Sequence, residues 1–263
     1  MNRSKPIVMG IVNATPDSFF DGGRYPDQDL LFARCKALMN MGADWIDIGG
    51  ESTRPGAQLI SAQEECDRVL PLIEAIAPIA KAKNIAISID TTKAQVAQQA
   101  SSAGATILND VRGLQDDDMA EVSSLFSKTI VMHSRGRPQT MNQLCNYEHL
   151  IEEITEELIK GANRALSKEV WLDPGIGFAK TAQQSLTLLQ HTNKLCSLGF
   201  PILIGASRKS FIGSTLGCPK EERLAGSLAA VAASYHRGAQ AWRVHDVLET
   251  RQLLDLLWSI DTV

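Results

Sequence analysis

The run "FPILIGASRKSFIG" at 200–213 leaves an apolar stretch and at once sets Arg208 and Lys209 side by side. Two adjacent cations beside an apolar core imply an anionic or electron-rich partner. Lys209-Ser210 alone suggests a phosphate-binding P-loop, but that motif needs a Gly directly before the Lys, and Arg208 stands there instead. The other short apolar runs also end on polar residues: Asn13, Asp47, Asp90, Asn109 with Asp110, His133, Asp173, and Arg243 with His245 and Asp246. An Asp or Asn after a strand often does no more than cap the next helix, and for any single residue that explanation is as good as a functional one. Caps do not require carboxylates, amides and cations in such variety at nearly every strand end. Arg54, Arg208, Lys209, Arg243 and His245 can serve a phosphate or pyrophosphate, Arg in bidentate fashion. Asp90, Asn109 and Asp173 suit a planar nitrogen heterocycle whose edge offers both donors and acceptors. The mixture predicts a bipartite site.

The elements that must carry these residues follow from the pattern around them. Eight short runs, "IVMGIV" (7–12), "WIDIG" (45–49), "IAISID" (85–90), "TILND" (106–110), "TIVMH" (129–133), "VWLD" (170–173), "PILIGA" (201–206) and "AWRVH" (241–245), alternate with segments at helical spacing. Gly42-Ala43, Gly104-Ala105 and Gly238-Ala239 recur where a helix should hand over to the next strand. A doubly wound open sheet would want G-x-G-x-x-G after an early strand, whereas "GIGFAK" at 175–180 has only the first two glycines and comes late. The pattern therefore predicts an α/β fold: a single-domain (β/α)8 TIM barrel over 1–263, with its site at the C-terminal ends of the strands. The longest aperiodic stretches, 13–27, 51–60 and 134–146, are the candidate functional loops.

Composition narrows the partners. The 263 residues are 44% hydrophobic and 21% charged, which suits a globular chain with a substantial core, and the net charge of −4 excludes a non-specific nucleic-acid binder. Five widely spaced cysteines without a C-x-x-C pair predict neither a disulfide framework nor a zinc site. No apolar run is long enough for a membrane helix and none has the form of a signal peptide, so the expected location is cytoplasmic.

"GIVNATPDSFFDGG", "IDIGGESTRPG", "SIDT", "ILNDV", "LDPGIGF", "GASRKSFIG" and "RVHDV", in this order, closely resemble the dihydropteroate synthase family of pterin-binding barrels over essentially the whole chain. The resemblance implies a transferase of folate biosynthesis that condenses 6-hydroxymethyl-7,8-dihydropterin pyrophosphate with 4-aminobenzoate and releases pyrophosphate. It implies pterin contacts from Asp90, Asn109, Met132, Asp173, Phe178, Gly205 and Lys209. It assigns the pyrophosphate to Asn13, Thr53, Arg54, Arg243 and His245, with Asn13 holding Mg²⁺. Phe19, Thr53, Pro55, Phe178, Lys209 and Ser210 would line the aminobenzoate pocket, where sulfonamides would compete. Asp90, Asp173, Lys209 and Arg54 are the implied catalytic group. Ser207 and Ser210 are expected to donate hydrogen bonds, and Arg208 to shape its loop or complete a salt bridge.

After "VMH" the family usually continues with a Met-Gln-Gly type stretch, whereas "SRGRPQT" follows here, adding Arg135 and Arg137 near the mouth or as a solvated pair. Two alternatives share the heterocycle edge: a non-catalytic pterin-binding paralogue and a pterin-dependent methyltransferase. The methyltransferase would not require Arg54 or the "RVHD" ending. A homodimer is expected through "LAGSLAAVAASYHRGA" and "VLETRQLLDLLWSI", which carry more apolar residues than one inward face needs. The Gly- and Pro-rich loops bearing Asn13, Phe19, Thr53, Arg54 and Pro55 are expected to order only on the pyrophosphate, so that the pterin substrate binds before aminobenzoate.

Overall fold

The computed structural model of the chain describes residues 5–15, 27–52, 57–137 and 139–263. Within them the eight expected runs all form strands: β1 (Ile7–Asn13), β2 (Trp45–Gly49), β3 (Ala86–Asp90), β4 (Ile107–Asp110), β5 (Lys128–Met132), β6 (Glu169–Asp173), β7 (Leu203–Ile204) and β8 (Ala241–Val244). They pair in parallel in the order β6-β5-β4-β3-β2-β1-β8-β7. A single bridge between Leu172 and Ile202 joins the two ends, which makes the sheet a nearly closed barrel. β7 is much shorter than the expected 201–206. Pro201 has no N–H to give a neighbour, and its carbonyl accepts from Leu172 N at 2.9 Å at the seam.

The helices form an outer ring: α1 (Gln28–Asn40), α2 (Ala62–Ala82), α3 (Ala94–Ala103), α4 (Asp117–Val122), α5 (Leu150–Ala162), α6 (Ala182–Gln190), α7 (Thr192–Cys196), α8 (Ser210–Leu216), α9 (Leu224–Tyr235) and α10 (Val247–Asp261). Local chemistry starts several of them. Asp27 accepts from Asp29 N and Leu30 N ahead of α1, Ser61 caps α2, and Thr181 with Gln184 forms a capping box at α6. The Gly-Ala signals fall at helix ends, where Gly104 takes φ 120° and Gly238 φ 100°, conformations that an L side chain resists.

Two apolar compartments result. A large one lies between the strands and the helices and includes Val8, Leu38, Ile46, Ile89, Leu108, Leu172 and Trp242. A smaller one fills the barrel's interior with Met9, Trp45, Ile107, Ile130, Trp171, Leu203 and Ala241. The Trp45 and Trp171 rings meet edge to face at 5.0 Å there and close the bottom. Strand side chains alternate between faces, so two residues further along each strand the same inward face presents Ile11, Asp47, Asn109, Met132, Asp173, Gly205 and Arg243. The apolar floor and the polar mouth are thus consecutive layers of one interior.

Gly104 tests the helix-to-strand turn. A Cβ built there would lie 2.8 Å from Ala77 Cβ of α2. With the strained φ added, Gly104→Ala is expected to lower unfolding free energy by roughly 1–3 kcal/mol, measured by urea denaturation.

Candidate active site

Arg243, on β8, reaches across the barrel mouth to two other strands. Its Nε donates to Asp47 Oδ2 at 2.6 Å and its Nη2 to Asp90 Oδ2 at 2.7 Å. Asp47 is fully buried and also faces Asn109 Nδ2 at 3.3 Å. β2, β3, β4 and β8 are therefore linked by one polar network in the layer above the tryptophan floor. A narrow cavity lies over it, bounded by Asp90, Asn109, Met132, Asp173, Phe178, Gly205 and Lys209. It opens into a wider space of about 480 Å³ reached by Asn13, Thr15, Ser52, Lys180, Ser210 and Lys220. Phe178, Ser207, Lys209, Arg243 and His245 border both spaces.

Burial dominates the electrostatics. It raises the Asp90 carboxyl to about 7, against the pull of Arg243 and with the help of Asp47. Asp173 is likewise raised by burial, with Lys209 opposing, and one of its oxygens accepts from Gly175 N at 2.7 Å. Burial lowers Lys209 to about 8 although Asp173 favours its charge. The Lys209 ammonium donates to Ile176 O and stands 4.3 Å from the centre of the Phe178 ring. Burial opposes the Arg243 charge, yet Asp47 and Asp90 hold its pKa above the ordinary arginine range.

His245 is lowered to about 4, first by burial and then by Arg243, and is neutral near pH 7. Ser207 Oγ accepts from His245 N at 3.2 Å and lies 3.1 Å from His245 Nδ1. With the Ser207 hydroxyl donating to Nδ1, the imidazole hydrogen is on Nε2, which makes the ring a neutral donor at the border of the two spaces.

Nine of the sequence-predicted site residues, Asp90, Asn109, Met132, Asp173, Phe178, Gly205, Lys209, Arg243 and His245, border the inner cavity, and Asn13 and Ser210 border the outer one. Phe19, Thr53, Arg54 and Pro55 lie outside the described residues, as does most of the two N-terminal loops. Arg208 borders the wider space, but with φ 56° its guanidinium is held through Nε and Nη2 by Asp246 at 2.9 and 2.6 Å, fixing the loop before Lys209. Asp110 folds its own turn by accepting from Arg112 N and Leu114 N, each at 2.8 Å. Arg135 pairs with Glu153 and Glu157 and stacks 4.0 Å over Tyr147, whereas Arg137 is exposed. Sequence reasoning gave Asp47 no role and did not notice Lys180. Period-two counting from Trp45 would have placed Asp47 on the inward face; no comparable signal marks Lys180.

A family model described as "Pterin binding enzyme" matches residues 9–245. The chain is 44% identical over 265 residues to a dihydropteroate synthase of Synechocystis sp., covering 97% of this chain and 91% of that one. A Xanthomonas albilineans dihydropteroate synthase solved with 4-aminobenzoic acid superposes with TM-score 0.90 at 37% identity, covering 99% of this chain and 94% of the other. The Xanthomonas albilineans enzyme in complex with 7,8-dihydropteroate gives TM-score 0.86 at 34% identity, covering 100% and 96%.

A raised folded-state pKa at Asp90 means that the folded protein holds a proton the unfolded chain has released between about pH 4 and 7. That contribution is present at the acidic end of the window and is lost as pH rises through the folded value. Asp90→Asn, which cannot titrate, should gain in stability relative to the parent on going from pH 5 to pH 7.5. Urea unfolding of both proteins at the two pH values measures it, and a constant difference contradicts it.

Proposed function

The chain belongs to the family of pterin-binding enzymes, and from that premise we infer that it works as a dihydropteroate synthase, a transferase of folate biosynthesis. Its reaction condenses 6-hydroxymethyl-7,8-dihydropterin pyrophosphate with 4-aminobenzoate to 7,8-dihydropteroate. The observation that carries this reading is the junction of two kinds of chemistry: buried Asp90, Asn109 and Asp173 around a narrow inner cavity, and Lys209, Arg243 and His245 where it widens.

The pterin would enter ring first, with its donor and acceptor edge against the two carboxylates and the amide, Met132 and Phe178 against its faces, and its pyrophosphate in the wider space. Cleavage of the methylene carbon–oxygen bond sends the electron pair to pyrophosphate and leaves positive charge on the pterin methylene. Arg243 and the Nε2–H of neutral His245 would meet the departing anion, joined by Thr53 and Arg54 from outside the described residues. Asp90 and Asp173 at the ring's edge would stabilise the cationic side. The aminobenzoate nitrogen then forms the new carbon–nitrogen bond and gives up a proton. Phe178, Lys209 and Ser210 would line its pocket with Phe19 and Pro55. No side-chain nucleophile is required.

Magnesium fits these residues as a substrate-borne ion. Asn13, Thr15 and Ser52 bring hard oxygen donors to the wider space, while the described residues contain no group of three or more His, Cys, Asp or Glu able to hold a metal. Asn13 would be the protein ligand and phosphate oxygens with water the rest. Bound there, Mg²⁺ would neutralise charge on the leaving pyrophosphate.

A homodimer is also part of this proposal. Leu248, Leu256 and Ile260 of α10 are exposed, and an apolar groove of about 330 Å³ runs between α6, α8 and α9. Sedimentation giving only monomer at micromolar concentration contradicts it. Five unpaired cysteines suit a cytoplasmic location, and no helix of the described residues is long and apolar enough to cross a membrane.

Chromatographic assay of dihydropteroate formation tests the reaction and separates it from a non-catalytic pterin binder. Asp173→Asn should weaken pterin pyrophosphate binding by roughly 1–3 kcal/mol, since a ligand donor loses its charged acceptor; unchanged affinity in calorimetry refutes that role. Pterin pyrophosphate should bind first. Tight aminobenzoate binding to the free protein, without pterin, Mg²⁺ or pyrophosphate, contradicts that order and leaves the reaction standing.

A further inference from the structure

The segment from Pro174 to Lys180 bends through Gly175, Gly177 and Ala179 at φ 66°, 77° and 46°, and Ala179 has a Cβ that resists this conformation. Three of its carbonyls are each bound by a side chain from another part of the segment or the fold. Lys209 donates to Ile176 O, Lys180 Nζ to Phe178 O at 2.9 Å, and Tyr147 Oη to Ala179 O at 3.0 Å. The ring carried between the first two is Phe178, which borders both spaces of the site.

Lys180 is itself anchored. It is 8% exposed, and its Nζ lies 2.8 Å from His133 Nδ1. That contact makes Nδ1 the acceptor and puts the His133 hydrogen on Nε2, which lies 3.1 Å from Glu157 Oε2 on α5. Arg135 holds Glu157 from the other side at 2.5 Å and stacks on the Tyr147 ring. The two anchors of the Phe178 segment therefore converge on one ionic cluster formed by α5 and the loop before it, the loop in which "SRGRPQT" departs from the usual family pattern. Burying an ammonium costs more than burying a methylene chain of the same length. Burial lowers the Lys180 pKa to about 7, and what its amino group provides, charged or neutral, and an apolar side chain would not, is a directed bond to the backbone of Phe178.

We propose that Lys180 and Tyr147 are positioning residues that hold Phe178 against the pterin substrate, tying the platform to the α5 cluster. This rests on the dihydropteroate synthase reading of the site. A misplaced ring weakens substrate binding, whereas a partly unfolded population lowers apparent kcat at constant KM.

Lys180→Met keeps the stem and removes the donors; Tyr147→Phe removes one hydroxyl and no charge. Each is expected to raise KM for pterin pyrophosphate by about tenfold, the equivalent of one lost hydrogen bond, while kcat stays near the parent value. A fall in kcat with KM unchanged, or no change in either, overturns the proposal. So does a KM effect confined to Lys180→Met, because the ammonium would then act through its charge near Asp173 and not through the loop. If Lys180→Met does not fold, Tyr147→Phe decides alone. Parent turnover in the same assay separates the two levels: no product from the parent defeats the reaction assignment, and parent turnover with unaltered KM in the variants defeats only the positioning role.

Discussion

One guanidinium shared by two buried carboxylates organises the mouth of this barrel. Arg243 binds Asp47 and Asp90 together, and Asp47 is fully buried, so removing the arginine would leave two charges without compensation in the interior. The same contact aligns β8 with β2 and β3 at the level where the apolar floor gives way to the site. Burial raises the proton affinity of Asp90 far above that of a solvated carboxylate; Arg243 pulls against this and Asp47 adds to it. On the other side of the cavity burial likewise raises Asp173, with Lys209 opposing.

Most of the architecture was legible because strand composition and helix signals agree along the whole chain. All eight runs became strands, and the Gly-Ala signals fell at helix ends. The polar set was legible from its place at the ends of the apolar runs, which a barrel gathers at one mouth. Alternation does not say which residue faces which across a barrel. The pairing of Arg243 with Asp47 and Asp90, from three different strands, is therefore visible only in the fold. Asp110 shows the opposite limit: it follows Asn109 directly, but its carboxylate folds its own turn. Lys180 sits in "GIGFAK", a string weighed as a nucleotide motif, and its burial depends on His133, 47 positions away.

The cations near the site divide by what holds them. Arg208 and Arg135 are tied to acids of the surrounding helices and loops and stabilise the frame. Lys209 leans on a carbonyl and an aromatic face, partners that a ligand can supplement without breaking a salt bridge. His245 completes the set as a neutral donor, suited to an anion without adding a further charge beside Arg243.

The closure of the barrel has a mechanical side. β6 and β7 meet through one bridge, and β7 is only two residues long, so this seam has far fewer ladder bonds than the β5–β6 pair beside it. Asp173 ends the strand on one side of the seam, and the loop from Gly205 through Lys209 follows the strand on the other. A molecule that touches both flanks spans the weakest joint of the wall like a staple. Occupancy of the pocket would thereby stiffen the barrel at the gap in its hoop.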